Sequence, residues 1–345
     1  MKSKQRSLLR IYAVSAIVSL ALLAFVGIEA GVAALVLALV LVALEITFSF
    51  DNAIINAKIL KNMSFGWQQA FIYVGIPIAV FGVRVFLPLL IVASVSGVSV
   101  GTITDLALNN PEEYGHLLEE ARPLIASFGG IFLLMLALDF FFEYKKIRWL
   151  KDVEAVMMKA GTLEGLTVII ALAVLLSATS LVEQAQKSDV LVAGIFGMLV
   201  YLAIRALNVL LSRSGISKSL TSGAKATFKA GLIGFIYLQV VDASFSLDSV
   251  IGAFAITDRL LIIAVGLGVG AIFVRSMTIH MLRSHVLDEY KYMEHGAHYA
   301  VGILAVIMLL SIKYHIPEFI TGFAGVVVIT ASVVHSAREK RIKPA

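Results

Sequence analysis

Two short stretches of the sequence combine carboxylates with hydroxyl and amide side chains at the same spacing. Both read acid, three residues, Ser, an apolar residue, Asp, Asn or Ser, an apolar residue, Ile. Carboxylate, hydroxyl and amide oxygens are hard ligands that suit Mn²⁺, Mg²⁺ or Ca²⁺. We therefore predict a metal-ion site with these candidate ligands: Glu45, Ser49, Asp51 and Asn52 in the first motif, and Asp242, Ser246, Asp248 and Ser249 in the second.

Most of these side chains share one face of a helix. At about 100° per residue, the first acid, the serine and the last polar residue of each motif lie on the same side. Asp51 and Asp248 lie about 120° away from that face. Either these aspartates face another helix, or each segment unwinds near its Ser-x-Asp sequence, since helices broken at mid-membrane expose carbonyl groups to cations. The sequence leaves both alternatives open.

The elements that position these residues are predicted to be membrane helices. The chain has 345 residues, of which 59% are hydrophobic and 15% charged, and its mean hydropathy is +0.94. Soluble domains average about 45–50% apolar and about 25% charged residues, so a soluble enzyme and a disordered chain are both excluded. Because the apolar runs are continuous, helices are favoured over barrel strands.

Apolar runs bounded by charge, Gly or Pro predict ten spans. They cover residues 11–28, 32–57, 68–96, 123–142, 163–182, 190–211, 230–256, 259–281, 298–313 and 318–336. With both termini in the cytoplasm, 21 of the 28 lysines and arginines fall in inner segments and four in outer ones. The remaining three, Arg84, Arg205 and Arg275, lie within spans. This asymmetry follows the positive-inside rule and predicts a multi-pass protein of the cell (inner) membrane.

The two motifs mark an internal repeat. They fall in the second and seventh predicted spans, which cross the membrane in opposite directions, and the span after each motif carries one arginine, Arg84 or Arg275. Such inverted repeats are typical of secondary transporters. We expect an all-α polytopic helix bundle forming one membrane domain over residues 1–345, with a first half at 1–185 and an inverted second half at 186–345.

Charges inside the spans need partners. A carboxylate at the centre of a membrane helix costs about 2.5–3.5 kcal/mol when it faces lipid, so the four motif acids must face the interior. Arg84 and Arg275 are candidate counter-ions that either lock these carboxylates or gate the pathway by competing with the metal. If all six groups share one cavity, two negative charges remain, and one divalent cation or two protons would balance them.

Asp139 and Arg205 lie near the inner ends of their spans. We expect both to be interfacial, with Arg205 extending its charge toward the inner surface. Asp139 is in addition a candidate for the cytoplasmic access to the site.

Other functions find little support in the sequence. The chain has no cysteine, which excludes thiolate nucleophiles and cysteine-ligated zinc. It has no P-loop, which disfavours ATP-driven pumping, and no convincing nucleophile–base pair, so we predict no enzymatic activity and no catalytic residues. The basic residues are explained by topology, so nucleic-acid binding is not expected. Gly266, Gly268 and Gly270 lie in an apolar span and favour close helix packing.

The Glu45-x-x-x-Ser49-Phe50-Asp51-Asn52-Ala53 sequence resembles the signature of TerC (tellurium-resistance protein C) membrane proteins. Asp242-x-x-x-Ser246-Leu247-Asp248-Ser249 resembles the second motif of that family, and the positions of Arg84 and Arg275 fit its pattern. The resemblance places the chain in an uncharacterised TerC-like branch of the superfamily that includes LysE-type exporters. It implies export of Mn²⁺, with Ca²⁺ or proton coupling as further options, and these metal-site residues: Glu45, Asp51, Asn52, Asp242 and Asp248.

The sequence therefore predicts a secondary transporter that exports a divalent metal ion across the lipid bilayer, with Mn²⁺ ahead of Ca²⁺ and Mg²⁺. One alternative is a membrane metalation or assembly partner of secreted proteins that contacts the secretion machinery. The other is an exporter of a cationic organic solute. The oligomeric state is left open.

Overall fold

The computed structural model describes residues 2–213, 224–254, 256–257, 259–284, 286–314, 316 and 318–342. Within these ranges the chain consists of helices joined by short turns and contains no strands. The side chain of Asp248, one of the predicted ligands, lies outside the described part.

The helices follow one another with few intervening residues. They are α1 (Lys2–Phe48), α2 (Phe50–Lys61), α3 (Phe65–Tyr73), α4 (Gly75–Pro77), a π-helix (Ile78–Phe86), α5 (Leu87–Ser96), α6 (Val100–Asn109), α7 (Pro111–Phe142), α8 (Lys151–Ala160), α9 (Leu166–Thr179), α10 (Lys187–Arg213), α11 (Ala224–Phe254), α12 (Leu260–Ser284), α13 (Val286–Glu289), α14 (Met293–Ser311) and α15 (Glu318–Ile342).

Six segments of the described chain are long and apolar enough to cross a membrane. They are Ser15–Thr47, Phe65–Ser96, Pro111–Phe142, Lys187–Ala206, Leu260–Ser284 and Met293–Ser311. Leu166–Thr179 and Gly231–Ser246 are shorter apolar helices. The structure thus agrees with a multi-pass helical membrane protein. The number of ten spans and the inverted relation of the two halves stay predictions.

The chain folds back at Gly31, inside the longest apolar segment. Gly31 has φ +85° and ψ 175°, a backbone conformation that is nearly restricted to glycine. A Cβ atom at Gly27 would lie 3.9 Å from the Cβ of Leu35, whereas eight residues of continuous helix span about 12 Å. The segment is therefore a hairpin of two helices, and its turn agrees with the predicted boundary between 28 and 32.

Replacing Gly31 with alanine is expected to lower the free energy of unfolding by about 1–3 kcal/mol, because a Cβ atom is strained at this φ and ψ. Thermal unfolding in detergent would measure the loss. Gly27→Ala is the matched control, since a Cβ there would make only ordinary contact with Leu35, 3.5 Å away. Equal unfolding temperatures for the two variants would contradict the strained turn.

Two helices, α7 and α12, form the interior of the bundle. Their most apolar windows are 78% and 72% buried, against 28% for Ser15–Thr47. α12 packs along α1, where Gly266 and Gly270 face it one helical turn apart. A Cβ at Gly270 would lie 2.5 Å from both Cβ and Cγ of Glu45. Glycine at this position lets the two helices approach closely enough to enclose Glu45, as expected for small residues at membrane helix contacts.

Candidate metal-ion site

Glu45 is fully buried near the end of α1. The Ser49 hydroxyl donates to its Oε1 at 2.9 Å, and Arg84 Nη2 forms an ion pair with the same oxygen. Arg84 lies in the π-helix, where its Nη1 also donates to the Ala79 carbonyl at 2.9 Å. π-helical turns are rare and frequently occur at functional sites. Together these contacts place the first motif acid in an ion pair with no net charge inside the bundle.

Asp242 is buried on α11 and pairs with Arg275 of α12. Arg275 Nη2 donates to Asp242 Oδ2 at 3.0 Å, and Nη1 donates to the Phe71 carbonyl at 3.1 Å. The guanidinium carbon lies 4.3 Å from the centre of the Phe71 ring. A Cβ at Gly75 would lie 2.4 Å from Nη1, so glycine at this position leaves room for the guanidinium in its present place.

The two ion pairs occupy equivalent places relative to the two sequence motifs. In each half the first acid of the motif, Glu45 or Asp242, pairs with the single arginine of the next apolar segment. All four side chains are at most 6% exposed. The sequence predicted these arginines as counter-ions, and their contacts agree with that role. Gating by these arginines stays a prediction.

Asn52 joins the two motifs. Its Nδ2 donates to Asp242 Oδ1 at 2.7 Å, across 190 residues of sequence. Each oxygen of the Asp242 carboxylate therefore has a donor, one from Asn52 and one from Arg275. The candidate ligands from the two halves meet at this hydrogen bond.

Asp51 has different contacts from those of Glu45. α1 and α2 are separated at Ser49, whose φ and ψ are −93° and 17°, but backbone hydrogen bonds to and from Ser49 still bridge the interruption. Asp51 follows in the first turn of α2, and its Oδ1 accepts the backbone N–H of Asn52 at 2.8 Å. The first motif thus has a local one-residue break, whereas α11 continues through the second motif.

The two serines of the second motif have different surroundings. Ser249 donates to the backbone carbonyl of Ser246 at 2.9 Å, so its proton is used within its own helix. The Ser246 hydroxyl is buried and, among the described residues, has no hydrogen-bond partner.

Several buried oxygens on the two facing helices α2 and α11 and at the end of α1 share this lack of a partner. Within the described residues they are Glu45 Oε2, Asn52 Oδ1, Asn56 Oδ1 and Ser246 Oγ. Buried polar atoms are nearly always satisfied by protein, water or an ion. A carboxylate, two amides and a hydroxyl are the oxygen types that bind hard cations.

The acidic side chains themselves do not gather at one point. In the part of the chain that the structure describes, no three Asp, Glu or His side chains are close enough to hold a metal ion together. Glu45 and Asp242 are each neutralised by an arginine, so Asp51 is the described motif acid whose charge an arginine does not balance. A metal ion in this conformation would rely on amide and hydroxyl oxygens besides carboxylates.

Three groups at this site were not predicted from the sequence. Gln239 Oε1 accepts from Arg275 Nη2 at 3.4 Å. It precedes Asp242 by three residues on α11, so a further polar residue on the motif face was the available signal. The Phe71 carbonyl and Gly75 act through the backbone and through the absence of a side chain, and the sequence carries no comparable signal for them.

Comparisons with known proteins give one match. A family model described as Protein of unknown function (DUF475) matches residues 50–343, which is most of the chain. No curated protein and no solved structure matches significantly. The matched region includes both interacting positions Asn52 and Asp242, and Glu45 lies ahead of it. The match does not assign the chain to the TerC family.

Proposed function

The chain belongs to the DUF475 family of unknown function, and from this premise we propose that it is a secondary transporter that exports a divalent metal ion, with Mn²⁺ as the first candidate. The observation that carries the proposal is the contact of two buried motifs through Asn52 and Asp242. Ionisable residues inside membrane segments generally mark ion or substrate pathways. Here they come from two sequence-related motifs and meet in the interior.

The donor atoms favour a hard cation. The partnerless oxygens are carboxylate, amide and hydroxyl, and the chain offers no cysteine. This set suits Mn²⁺, Mg²⁺ or Ca²⁺ better than Cu⁺ or Zn²⁺. The choice of Mn²⁺ among the three rests on the resemblance of the motifs to those of TerC proteins.

The proposed architecture is a bundle of ten spans in two inverted halves, 1–185 and 186–345, with both termini in the cytoplasm of the cell (inner) membrane. The equivalent pairs Glu45–Arg84 and Asp242–Arg275 support the repeat. The hairpin turn at Gly31 supports the division of the first apolar segment into two spans.

The arginines suggest how ion binding is controlled. Arg84 and Arg275 neutralise the carboxylates that a metal ion would use. For the metal to bind, each guanidinium would have to give up part of its contact with its carboxylate. Arg275 has the Phe71 carbonyl and the Phe71 ring as alternative partners, so it can release Asp242 without losing every contact.

Metal flux into proteoliposomes tests this function, with Mn²⁺, Mg²⁺, Ca²⁺ and Zn²⁺ offered separately. We expect Mn²⁺ flux in the wild type and a loss of at least about 100-fold in Asp51→Asn and Asp248→Asn, since even outer partners of metal ligands change affinity by about 10–100-fold. Asp105→Asn is the matched control, because Asp105 is an exposed aspartate on α6.

The remaining outcomes separate the competing functions. Tight Mn²⁺ binding without flux under any pH gradient would favour a metalation or assembly partner of secreted proteins. If Mn²⁺ neither binds nor crosses the membrane, metal transport is rejected. Cationic organic solutes would then be tested as cargo.

A further inference from the structure

A cavity of about 840 Å³ lies outside the motif contact, among α2, α7, α9, α10, α11 and α14. Its outer wall includes Glu143, Gly161 and Glu164, which belong to the segment between α7 and α9. This segment carries the lysine- and arginine-rich stretch that the sequence predicts to be cytoplasmic. The cavity therefore opens at the predicted cytoplasmic end of the bundle.

Asp139 of α7 is the best-connected acid in this cavity. Thr167 donates to its Oδ1 at 2.7 Å, and Tyr201 donates to its Oδ2 at 2.8 Å. Arg205 Nη1 lies 2.6 Å from the same Oδ2. The interfacial positions predicted for Asp139 and Arg205 are thus refined to a third acid–arginine pair. Unlike the two motif pairs, its arginine side chain is 55% exposed, so the guanidinium stays in contact with solvent when it leaves the carboxylate.

The lining of the cavity favours cations. Asp139, Glu143 and Glu164 contribute carboxylates, and Lys58 and Arg205 contribute positive charges. Lys58 is itself paired with Glu294, outside the lining, and Arg205 is paired with Asp139. The cavity consequently retains negative charge.

The amine of Lys145, which lies beside the cavity, contacts Phe140. Its Nζ donates to the Phe140 carbonyl and lies 3.3 Å from the centre of the Phe140 ring. Burial lowers the pKa of Lys145 to about 8. The amine is still mostly protonated at neutral pH, and its contacts with Phe140 hold this charge beside the cavity.

The inner end of the cavity approaches the motif contact. Ile55 lines the cavity and follows Asn52 by three residues on α2, about 4.5 Å along the helix axis. Tyr237 lines it from α11 and precedes Asp242 by five residues, about 7.5 Å along the axis. Asn52 and Asp242 are not part of the lining, so the cavity does not reach them in this conformation.

We propose that this cavity is the cytoplasmic antechamber, the aqueous entrance, of the transport pathway. In this proposal Asp139 is a cation-binding carboxylate, and Arg205 competes with the cation for its oxygens. The proposal rests on the proposed function for the identity of the cation. The cavity is water-filled and selects for hydrated divalent cations before they reach the motif helices. Thr167 and Tyr201 hold the carboxylate in place while its arginine partner is exchanged.

The absence of native cysteine makes thiol labelling a direct test. Val168 lines the cavity, whereas the adjacent Ile169 is 61% exposed on the outside of the bundle. In inside-out membrane vesicles, a cationic water-soluble methanethiosulfonate should modify Val168→Cys at least about tenfold faster than Ile169→Cys, because reaction needs a hydrated thiolate. Mn²⁺ should slow modification of Val168→Cys, and adding Asp139→Asn should remove that protection.

These labelling results do not depend on flux. Equal rates at the two positions would overturn the aqueous antechamber. Fast modification of Val168→Cys without protection by Mn²⁺, beyond that given by an organic salt of equal ionic strength, would overturn the cation site at Asp139. Protection in a protein that shows no Mn²⁺ flux would support the antechamber site and reject the transport function, so the two failures are distinguishable.

Where flux is measured, the two members of the pair separate a binding role from a structural one. Asp139→Asn should raise the Mn²⁺ concentration for half-maximal flux by about tenfold, and Arg205→Gln should lower it severalfold, because the first removes the attracting charge and the second its competitor. A pair that merely held α7 to α10 would give impaired flux in both variants, and that result would overturn the proposal.

Discussion

Replacing Asp242 with asparagine is expected to lower Mn²⁺ flux by about 100-fold or more, as for the other two motif aspartates. The change also leaves the guanidinium of Arg275, 3% exposed, without its carboxylate. Removing one partner of a buried ion pair costs about 3–5 kcal/mol. Asp242→Asn should therefore reduce both flux in proteoliposomes and the unfolding temperature in detergent.

The double variant Asp242→Asn, Arg275→Gln separates these two effects. It removes the stranded charge, so the unfolding temperature should rise most of the way back to the wild-type value. Exchanging both partners of a buried pair is often close to neutral. Flux should stay at the level of the single variant. Recovery of flux together with stability would mean that Asp242 supports the fold alone, and this would remove it from the site.

Replacing Gly270 with alanine is expected to destabilise the protein by about 1–3 kcal/mol, the usual cost of overpacking. The new Cβ would fall 2.5 Å from the Cβ and Cγ of Glu45. Relief of this overlap must move Glu45 or separate α1 from α12, and either movement alters the Glu45–Arg84 pair. We therefore expect at least a tenfold loss of Mn²⁺ flux as well, since small misplacements at a site are costly.

Gly302→Ala is the control for this substitution. Gly302 also lies at a helix contact, but a Cβ there would be 3.5 Å from the Cβ of Ala137, an ordinary contact. Flux and unfolding temperature should both stay near the wild-type values. A Gly270→Ala protein that behaves like Gly302→Ala would contradict the close approach of α12 to Glu45.

Much of the candidate site could be predicted because charge is rare in apolar helices. An acid or arginine within a long apolar run must find a partner, so Glu45, Arg84, Asp242 and Arg275 stood out from spacing alone. Helical periodicity also separated Asp51 from the face that carries Glu45. The Gly31 turn was visible as a boundary between two apolar runs.

Other features depend on the three-dimensional arrangement and had no signal in the sequence. The partition of charge into two separate arginine pairs, instead of one shared cavity, is set by how α11 and α12 pack against the first half. The Asp139–Arg205 pair spans 66 residues and two helices, and each residue alone was consistent with an interfacial position. Asp248 is the second aspartate that lies off the motif face, and its side chain is outside the described part of the chain.

Each of the two motif ion pairs, Glu45–Arg84 and Asp242–Arg275, joins residues of one predicted half, whereas the bonds at Asn52 and Phe71 that cross between the halves use a neutral amide and a neutral carbonyl. Breaking these two bonds separates neither motif acid from its arginine, whereas the more exposed pairs Lys58–Glu294 and Asp139–Arg205 do cross between the halves. At the motif contact, the electrostatic barrier to motion is then set by dipoles that water or a cation can replace, and not by the much larger cost of leaving lone ions in a low-dielectric interior. The electrostatics at Asn52 and Phe71 would thus permit relative motion of the helices that bear the two acids while keeping each acid neutral.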